Sequence, residues 1–169
     1  MQAWSGFYAT IAAAAATLLG LLFVAISINA ESLGPGHEDS RRLAEQGFQN
    51  YFAVLLVALV AIFPGMSLET LGVVAISVTI VASIWVLIRF WQSLRDARQF
   101  KGRVSSVRRH AVSVLGFAML IYSAFRMRFG DPGEAAPYIF ASALIVLVSS
   151  ATLSSWELLL GISRFHRPR

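Results

Sequence analysis

The stretch FYATIAAAAATLLGLLFVAISIN, residues 7–29, runs for 23 residues without a single charged side chain. A bilayer-spanning helix needs about 20 consecutive, mostly apolar residues, so this stretch is long enough to cross a membrane. It is longer than the apolar region of a secretory signal peptide, which is about 7–15 residues, and no Lys or Arg precedes it. We therefore expect a retained transmembrane helix.

Four more apolar stretches follow, and the five predicted spans are residues 7–29, 48–64, 68–91, 109–129 and 136–162. Hydrophobic residues make up 57% of the chain and charged residues only 14%, whereas a soluble domain carries about a quarter charged residues. Spans two and three, and spans four and five, are separated by very short Pro- and Gly-containing connections, which favour antiparallel neighbours. The sequence predicts an all-α integral membrane bundle of about five helices, two hairpins plus an N-terminal helix, in a single domain, 1–169.

The basic residues predict the orientation of this bundle. In the five-span arrangement, residues 30–47, residues 92–110 and the C-terminus form one side of the membrane. That side carries 12 of the 14 Lys and Arg residues: Arg41, Arg42, Arg89, Arg95, Arg98, Lys101, Arg103, Arg108, Arg109, Arg164, Arg167 and Arg169. The other side carries only Arg126 and Arg128. Because cytoplasmic loops are enriched in Lys and Arg, we expect a cell inner membrane protein with its N-terminus outside and its C-terminus in the cytoplasm.

Composition also limits the chemistry that the chain can perform. There is no cysteine, which excludes disulfides, thiolate catalysis and cysteine-ligated metal centres. His37, His110 and His166 are far apart and form no metal-binding pattern, so we expect no metal, no cofactor and no enzymatic activity. The basic segment 95–109 borders a predicted span, which favours contact with anionic lipid headgroups and argues against nucleic-acid binding.

One face of the first helix consists of small residues. At 100° per residue, Gly6, Ala9, Ala13, Ala16 and Gly20 fall on a single narrow arc. Small side chains let helix backbones approach closely in lipid, so these five residues are candidates for helix packing. The contact could lie within one subunit or between subunits, and the spacing does not distinguish these alternatives.

Polar residues cluster towards the predicted cytoplasmic ends of the helices, where they are candidates for a polar path. On the fifth helix, Ser150, Ser154 and Glu157 share an arc of about 60°. A carboxylate inside the hydrocarbon layer must pair, become protonated or face water. Glu157 therefore either pairs with a basic residue such as Arg89 or Arg109, or lines a path for protons or cations. The other candidates at this depth are Asn29, Asn50 and Arg89, and together these groups predict either an aqueous vestibule or a buried hydrogen-bonded cluster.

Two stretches of the chain resemble a family of small bacterial multi-pass membrane proteins with no established activity. The first is the helix from Phe7-Tyr8-Ala9-Thr10 through Leu21-Leu22-Phe23-Val24-Ala25. The second, Ser155-Trp156-Glu157-Leu158-Leu159, is similar to a Trp-Asp-Leu-Leu pattern near the last helix of those proteins, with Glu157 in place of Asp. The resemblance implies a role for this acidic position and no particular reaction.

These features lead to two functional hypotheses. A homo-oligomeric channel or pore would have a polar path lined by helix one or helix five, since five helices cannot easily enclose a water path alone. The alternative is an accessory or scaffolding subunit of a larger membrane complex, which would also explain a protein with no extramembrane domain. A transporter is less well supported because matching pairs of broken helices are not visible.

Overall fold

The structure, a computed structural model, describes residues 4–30, 38–65, 67–95, 103–130, 133 and 135–165. Only the backbone is described at 38–39, 68, 83, 85–95, 103–110 and 162–165. Within the described ranges the chain forms five α-helices and no strand, which confirms the predicted all-α bundle. The helices are α1 Ser5–Ile28, α2 Glu38–Ile62, α3 Leu68–Arg95, α4 Arg103–Phe129 and α5 Ala135–Phe165.

The main difference from the sequence prediction is the start of the second helix. Residues 30–47 were expected to form a loop, but α2 begins at Glu38, ten residues before the predicted span. Its first turns are polar on one side, where Arg41 and Glu45 form an ion pair with Nε and Oε1 3.0 Å apart, while Ala44 is buried on the other. A search for uninterrupted apolar residues misses such a half-polar start, because only one face of the helix is buried.

The short connections have the predicted chemistry. Gly65 has a φ of +74°, which favours glycine, and allows the chain to reverse between α2 and α3. Ser67 accepts a hydrogen bond from the backbone N–H of Thr70 at 3.1 Å, so it caps the start of α3, and Glu69 lies in the first turn of that helix. Both reversals lie at one end of the bundle, which we call the hairpin end (residues 62–65, 67–68, 129–130, 133 and 135).

Both predicted hairpins are present, and the helices pack through small residues. α2 packs against α1, α3 and α5, whereas α4 packs against α3 and α5. A Cβ atom added to Gly72 of α3 would lie 2.8 Å from the carbonyl oxygen of Ala124 in α4. A Cβ atom added to Gly116 of α4 would lie 2.8 Å from Leu147 Cδ2 in α5. These two glycines therefore allow their helices to pack closely.

The outer surface of the bundle is apolar, as expected for a protein solvated by lipid. Phe63, Val81, Phe125 and Leu153 are all more than half exposed, although a soluble protein would avoid so many exposed large apolar side chains. Among the described residues, four helices are long and apolar enough to cross a bilayer, namely α1, α2, α4 and α5. In α3, the apolar stretch found among the described residues is the shorter Glu69–Ala82. The fold is that of a membrane-spanning protein.

Candidate functional site

A buried cluster of polar side chains joins α2, α4 and α5. Ser113 Oγ accepts hydrogen bonds from Asn50 Nδ2 at 2.9 Å and from Gln46 Nε2 at 3.1 Å, and lies 2.7 Å from Ser150 Oγ. We call these four residues the Ser113 cluster. The cluster lies roughly 22 Å from the hairpin end, because Ser150 is 15 residues into α5 and a helix rises about 1.5 Å per residue.

The first half of the apolar part of α2 supplies most of these interhelical contacts. Gln46 and Asn50 are one helical turn apart, so both amides reach Ser113 on α4. Gln49 points elsewhere and donates to the carbonyl oxygen of Ala82 in α3 at 2.6 Å. Tyr51 is buried, and its hydroxyl lies 3.0 Å from Thr152 Oγ1 on α5. One segment of α2 therefore bonds to three neighbouring helices.

Two of the predicted polar-path residues belong to this cluster, Asn50 and Ser150. Both are almost fully buried and bond to Ser113 within the subunit. Ser154 is also buried, but its hydroxyl donates to the carbonyl oxygen of Ser150 in its own helix at 3.0 Å. Asn29 donates to the carbonyl oxygen of Ala25 at 2.9 Å and closes the end of α1, outside the cluster.

The two charged candidates are not joined to the cluster by any described contact. Glu157 is half-buried on α5, two turns beyond Ser150. Arg89 lies in α3, but its side chain is outside the described residues, and so is that of Arg109, the other basic residue considered as a partner of Glu157. A role for Glu157 in a polar path therefore remains a prediction.

The central residue of the cluster, Ser113, was not among the predicted site residues. A single serine in an apolar helix is a weak signal, because its hydroxyl usually bonds to a carbonyl of its own helix. Gln46 was not among the predicted site residues either. The stronger signal was the pair of amides one turn apart, Gln46 and Asn50, because amides in an apolar helix need partners on a neighbouring helix.

Two surface hollows lie at the hairpin end. One, of about 40 Å³, is lined by Tyr122, Arg126, Ala135, Ala136 and Ile139. The other, of about 260 Å³, is open and apolar and is lined by Leu59, Ile62, Phe63 and Pro64. Neither involves a member of the Ser113 cluster, so neither hollow leads into the polar interior.

The small-residue face of α1 is exposed. Gly6, Ala9, Ala13, Ala16 and Gly20 all lie on the outer surface, whereas the residues through which α1 packs onto the bundle are Tyr8, Ala12, Ala15 and Leu22. Within the described part of the subunit, no atom lies within 4 Å of a Cβ added to Gly6 or Gly20, apart from the helix's own backbone and chain neighbours. We call these five exposed residues the α1 seam. The seam is therefore not the face through which α1 packs onto the described part of its own subunit.

Comparison with models of protein families, with curated proteins and with solved structures matches none of them. The resemblance of α1 and of residues 155–159 to small multi-pass proteins therefore brings no activity to this chain. Function must be inferred from the arrangement of its own residues.

Proposed function

We propose that this protein is a homo-oligomeric membrane protein whose subunits meet along the α1 seam and form a channel-like assembly. The observation that carries this proposal is the exposure of Gly6, Ala9, Ala13, Ala16 and Gly20 on the outer surface of a lipid-solvated bundle. Small residues let helix backbones approach closely, and in membranes they are enriched where helices meet.

The rest of the outer surface supports this assignment by contrast. Most of the other exposed apolar side chains are large, such as Leu59, Phe63, Phe125 and Leu153. The helix α1 is also the most apolar of the candidate spans and the least buried. Of its most apolar 18 residues only 17% are buried, compared with 39–44% in α2, α4 and α5. A helix so little covered by its own subunit is available for contact with another subunit.

The spacing of the seam defines a packing geometry. Gly6, Ala13 and Gly20 recur every seven residues, and Ala9 and Ala16 follow three residues after the first two. This is the spacing of positions a and d in a heptad repeat, which gives helices that cross at about +20° in a left-handed bundle. Copies of α1 should therefore pack side by side, in parallel, around an axis.

Hydroxyl groups border the same face and supply polarity along it. Thr10 and Thr17 are exposed, and their hydroxyls donate to the carbonyl oxygens of Gly6 and Ala13, each at 2.8 Å. Each hydroxyl oxygen keeps lone pairs that can face a cation. The two residues are seven positions apart, so an assembly would carry two levels of hydroxyl oxygens about 10 Å apart. We propose that small cations pass along this axis.

Assembly can be tested by cross-linking, because the chain contains no cysteine. A single Ala13→Cys substitution should give a disulfide-linked dimer of the protein when membranes are oxidised. The matched control is Ala118→Cys, which places the same group on the exposed face of α4. We expect a cross-linked dimer from the α1 variant and none from the α4 variant.

A second pair of variants tests the packing. Ala13→Leu should lower the oligomer mass in mild detergent because it adds bulk where backbones approach, whereas Ala118→Leu should leave it unchanged. A monomeric wild-type protein would refute the assembly. Cross-linking of Ala13→Cys to an unrelated membrane protein would instead identify an accessory subunit.

Conduction is tested by cation flux into liposomes that contain the purified protein. Thr17→Val keeps the shape of the side chain and removes its oxygen, so it should reduce flux or change cation preference while the oligomer mass stays the same. Glu157→Gln tests the alternative path lined by α5, since it removes the charge and keeps the shape. Wild-type liposomes without cation flux would refute conduction and leave the assembly as a separate result.

A further inference from the structure

The carbonyl oxygen of the Asn50 side chain is buried in the Ser113 cluster and is left without a hydrogen-bond partner among the described residues. Asn50 is 1% exposed, so bulk water does not reach this oxygen. A buried polar atom without a partner is costly, and natural proteins satisfy nearly all such atoms. The side chains of the cluster therefore leave one hydrogen bond unmade at this oxygen.

The bonding order of the cluster identifies a second incomplete group. Ser113 Oγ accepts hydrogen bonds from Gln46 and Asn50, which occupies both of its lone pairs, so its own proton must go to Ser150 Oγ. The proton of the Ser150 hydroxyl then has no acceptor in the described part of the chain. The two incomplete groups, the Asn50 carbonyl oxygen and the Ser150 hydroxyl, belong to residues that bond to the same Ser113 oxygen.

Turning the Asn50 amide about its last bond does not remove the problem. In this second orientation of the amide, the Asn50 carbonyl oxygen accepts a hydrogen bond from the Ser113 hydroxyl, and Ser113 Oγ accepts hydrogen bonds from Gln46 and Ser150. The amide nitrogen of Asn50 then occupies the position without a partner. A cation could bind only the free carbonyl oxygen of the first amide orientation, and an anion only the free amide nitrogen of the second. A water molecule suits both, because it can donate to the oxygen in the first orientation and accept from the nitrogen in the second.

We propose that the Ser113 cluster holds an ordered water molecule, bound to the Asn50 amide and the Ser150 hydroxyl. Buried waters typically make about three hydrogen bonds to polar groups that the protein leaves incomplete. The site lies between three helices, so this water is part of the link that fixes α2 against α4 and α5. It is independent of the proposed channel, because the cluster faces the interior of one subunit and the α1 seam faces outward.

The direct test is an experimental structure of the full chain in a lipid environment, at a resolution that shows ordered waters. Density for a water within about 3 Å of the Asn50 amide is expected. A well-ordered Asn50 side chain without such density, in a map that shows other buried waters, would overturn the proposal.

Stability gives a second test, because Asn50→Leu removes the Asn50–Ser113 hydrogen bond in either case. If water completes the cluster, the change also removes the bonds to that water and should lower the melting temperature in detergent by at least about 3 °C. If the oxygen has no partner at all, the change also removes a buried cost that offsets the lost bond, and the melting temperature should fall by less than this or rise. The matched control is Thr79→Val, since Thr79 is equally buried but bonds only to the carbonyl oxygen of Ala75 in its own helix.

A cation at this place is tested in the same measurement. The melting temperature of the wild-type protein should not change when Na⁺ or K⁺ is replaced by choline at constant ionic strength. A lower melting temperature in choline, seen in the wild-type protein and absent in Asn50→Leu, would show that the site binds a cation and would overturn the proposal.

Discussion

Ser113 Oγ takes part in three hydrogen bonds, and its position explains how a chain with few buried polar groups fixes three helices together. Its partners come from α2 and α5, so a single hydroxyl connects three elements. Lipid cannot satisfy polar groups, and the amides of Gln46 and Asn50 therefore depend on partners within the protein. Through Gln46 and Asn50, the Ser113 cluster therefore links α2 to α4 within the bundle.

We predict that Ser113→Ala lowers the free energy of unfolding by about 1–3 kcal/mol, since it leaves the buried Asn50 amide without its acceptor. The matched control is Ser123→Ala on the same helix, because that buried hydroxyl bonds only to the carbonyl oxygens of Met119 and Leu120 in its own helix. Its loss should have a smaller effect. Denaturant titration in one detergent measures both, and equal effects would contradict a linking role for Ser113.

At the scale of helices, close contact between α3 and α4 depends on a missing side chain. Gly72 lies against the backbone of α4, where a Cβ atom would meet the carbonyl oxygen of Ala124 at 2.8 Å and Arg128 Cβ at 3.3 Å. A carbonyl oxygen of a helix cannot move aside without bending that helix. The same argument is weaker at Gly116, where the nearest atoms belong to the Leu147 side chain, which can rotate.

Gly72→Ala should therefore destabilise the protein by about 1–3 kcal/mol through overpacking. The control is Gly161→Ala in α5, where a Cβ atom would meet nothing within 4 Å. There the change should be neutral or stabilising by up to about 1 kcal/mol, because Ala favours helix over Gly. Thermal unfolding followed by tryptophan fluorescence compares the two variants. A stable Gly72→Ala protein would show that α3 and α4 can separate without cost.

At the scale of the whole molecule, the described residues form a bundle with an apolar exterior and an apolar interior that mixes alanine with large side chains, and the Ser113 cluster lies away from its hairpin end. The helix α1 packs on the outside of the bundle against α2 and α5. At the hairpin end its first turn is held by aromatic contacts, with the rings of Trp4 and Tyr138 5.0 Å apart in an edge-to-face arrangement. The opposite face of α1 is covered by nothing in the described part of the subunit, and the proposed assembly would cover it.

The predicted orientation is tested by labelling single cysteines in intact cells with a thiol reagent that cannot cross membranes. Because 12 of 14 basic residues then lie in the cytoplasm, we expect Gly133→Cys to react in intact cells. Lys101→Cys should react only after the cells are permeabilised. The unchanged protein has no cysteine and serves as the blank. The reverse labelling pattern would contradict the N-terminus-outside arrangement.

The order of residues along the chain was enough to predict five helices and a lipid environment around them. In lipid, a long apolar stretch can satisfy the hydrogen bonds of its backbone by forming a helix. Pro64-Gly65 and Ser67 mark a chain reversal and a helix start through local chemistry.

The rotation of each helix and the partners of its side chains depend on the tertiary structure. Asn50 and Ser150 were identified as polar residues, but only packing brings them to the same Ser113 oxygen across three helices. Likewise, the spacing of Gly6 through Gly20 predicted a packing face, and only the bundle shows that it faces outward, because α1 uses Tyr8, Ala12 and Ala15 to contact its own subunit. Local bonding is set by neighbours in the chain, whereas a side chain's partner depends on residues up to about a hundred positions away, as for Tyr51 and Thr152.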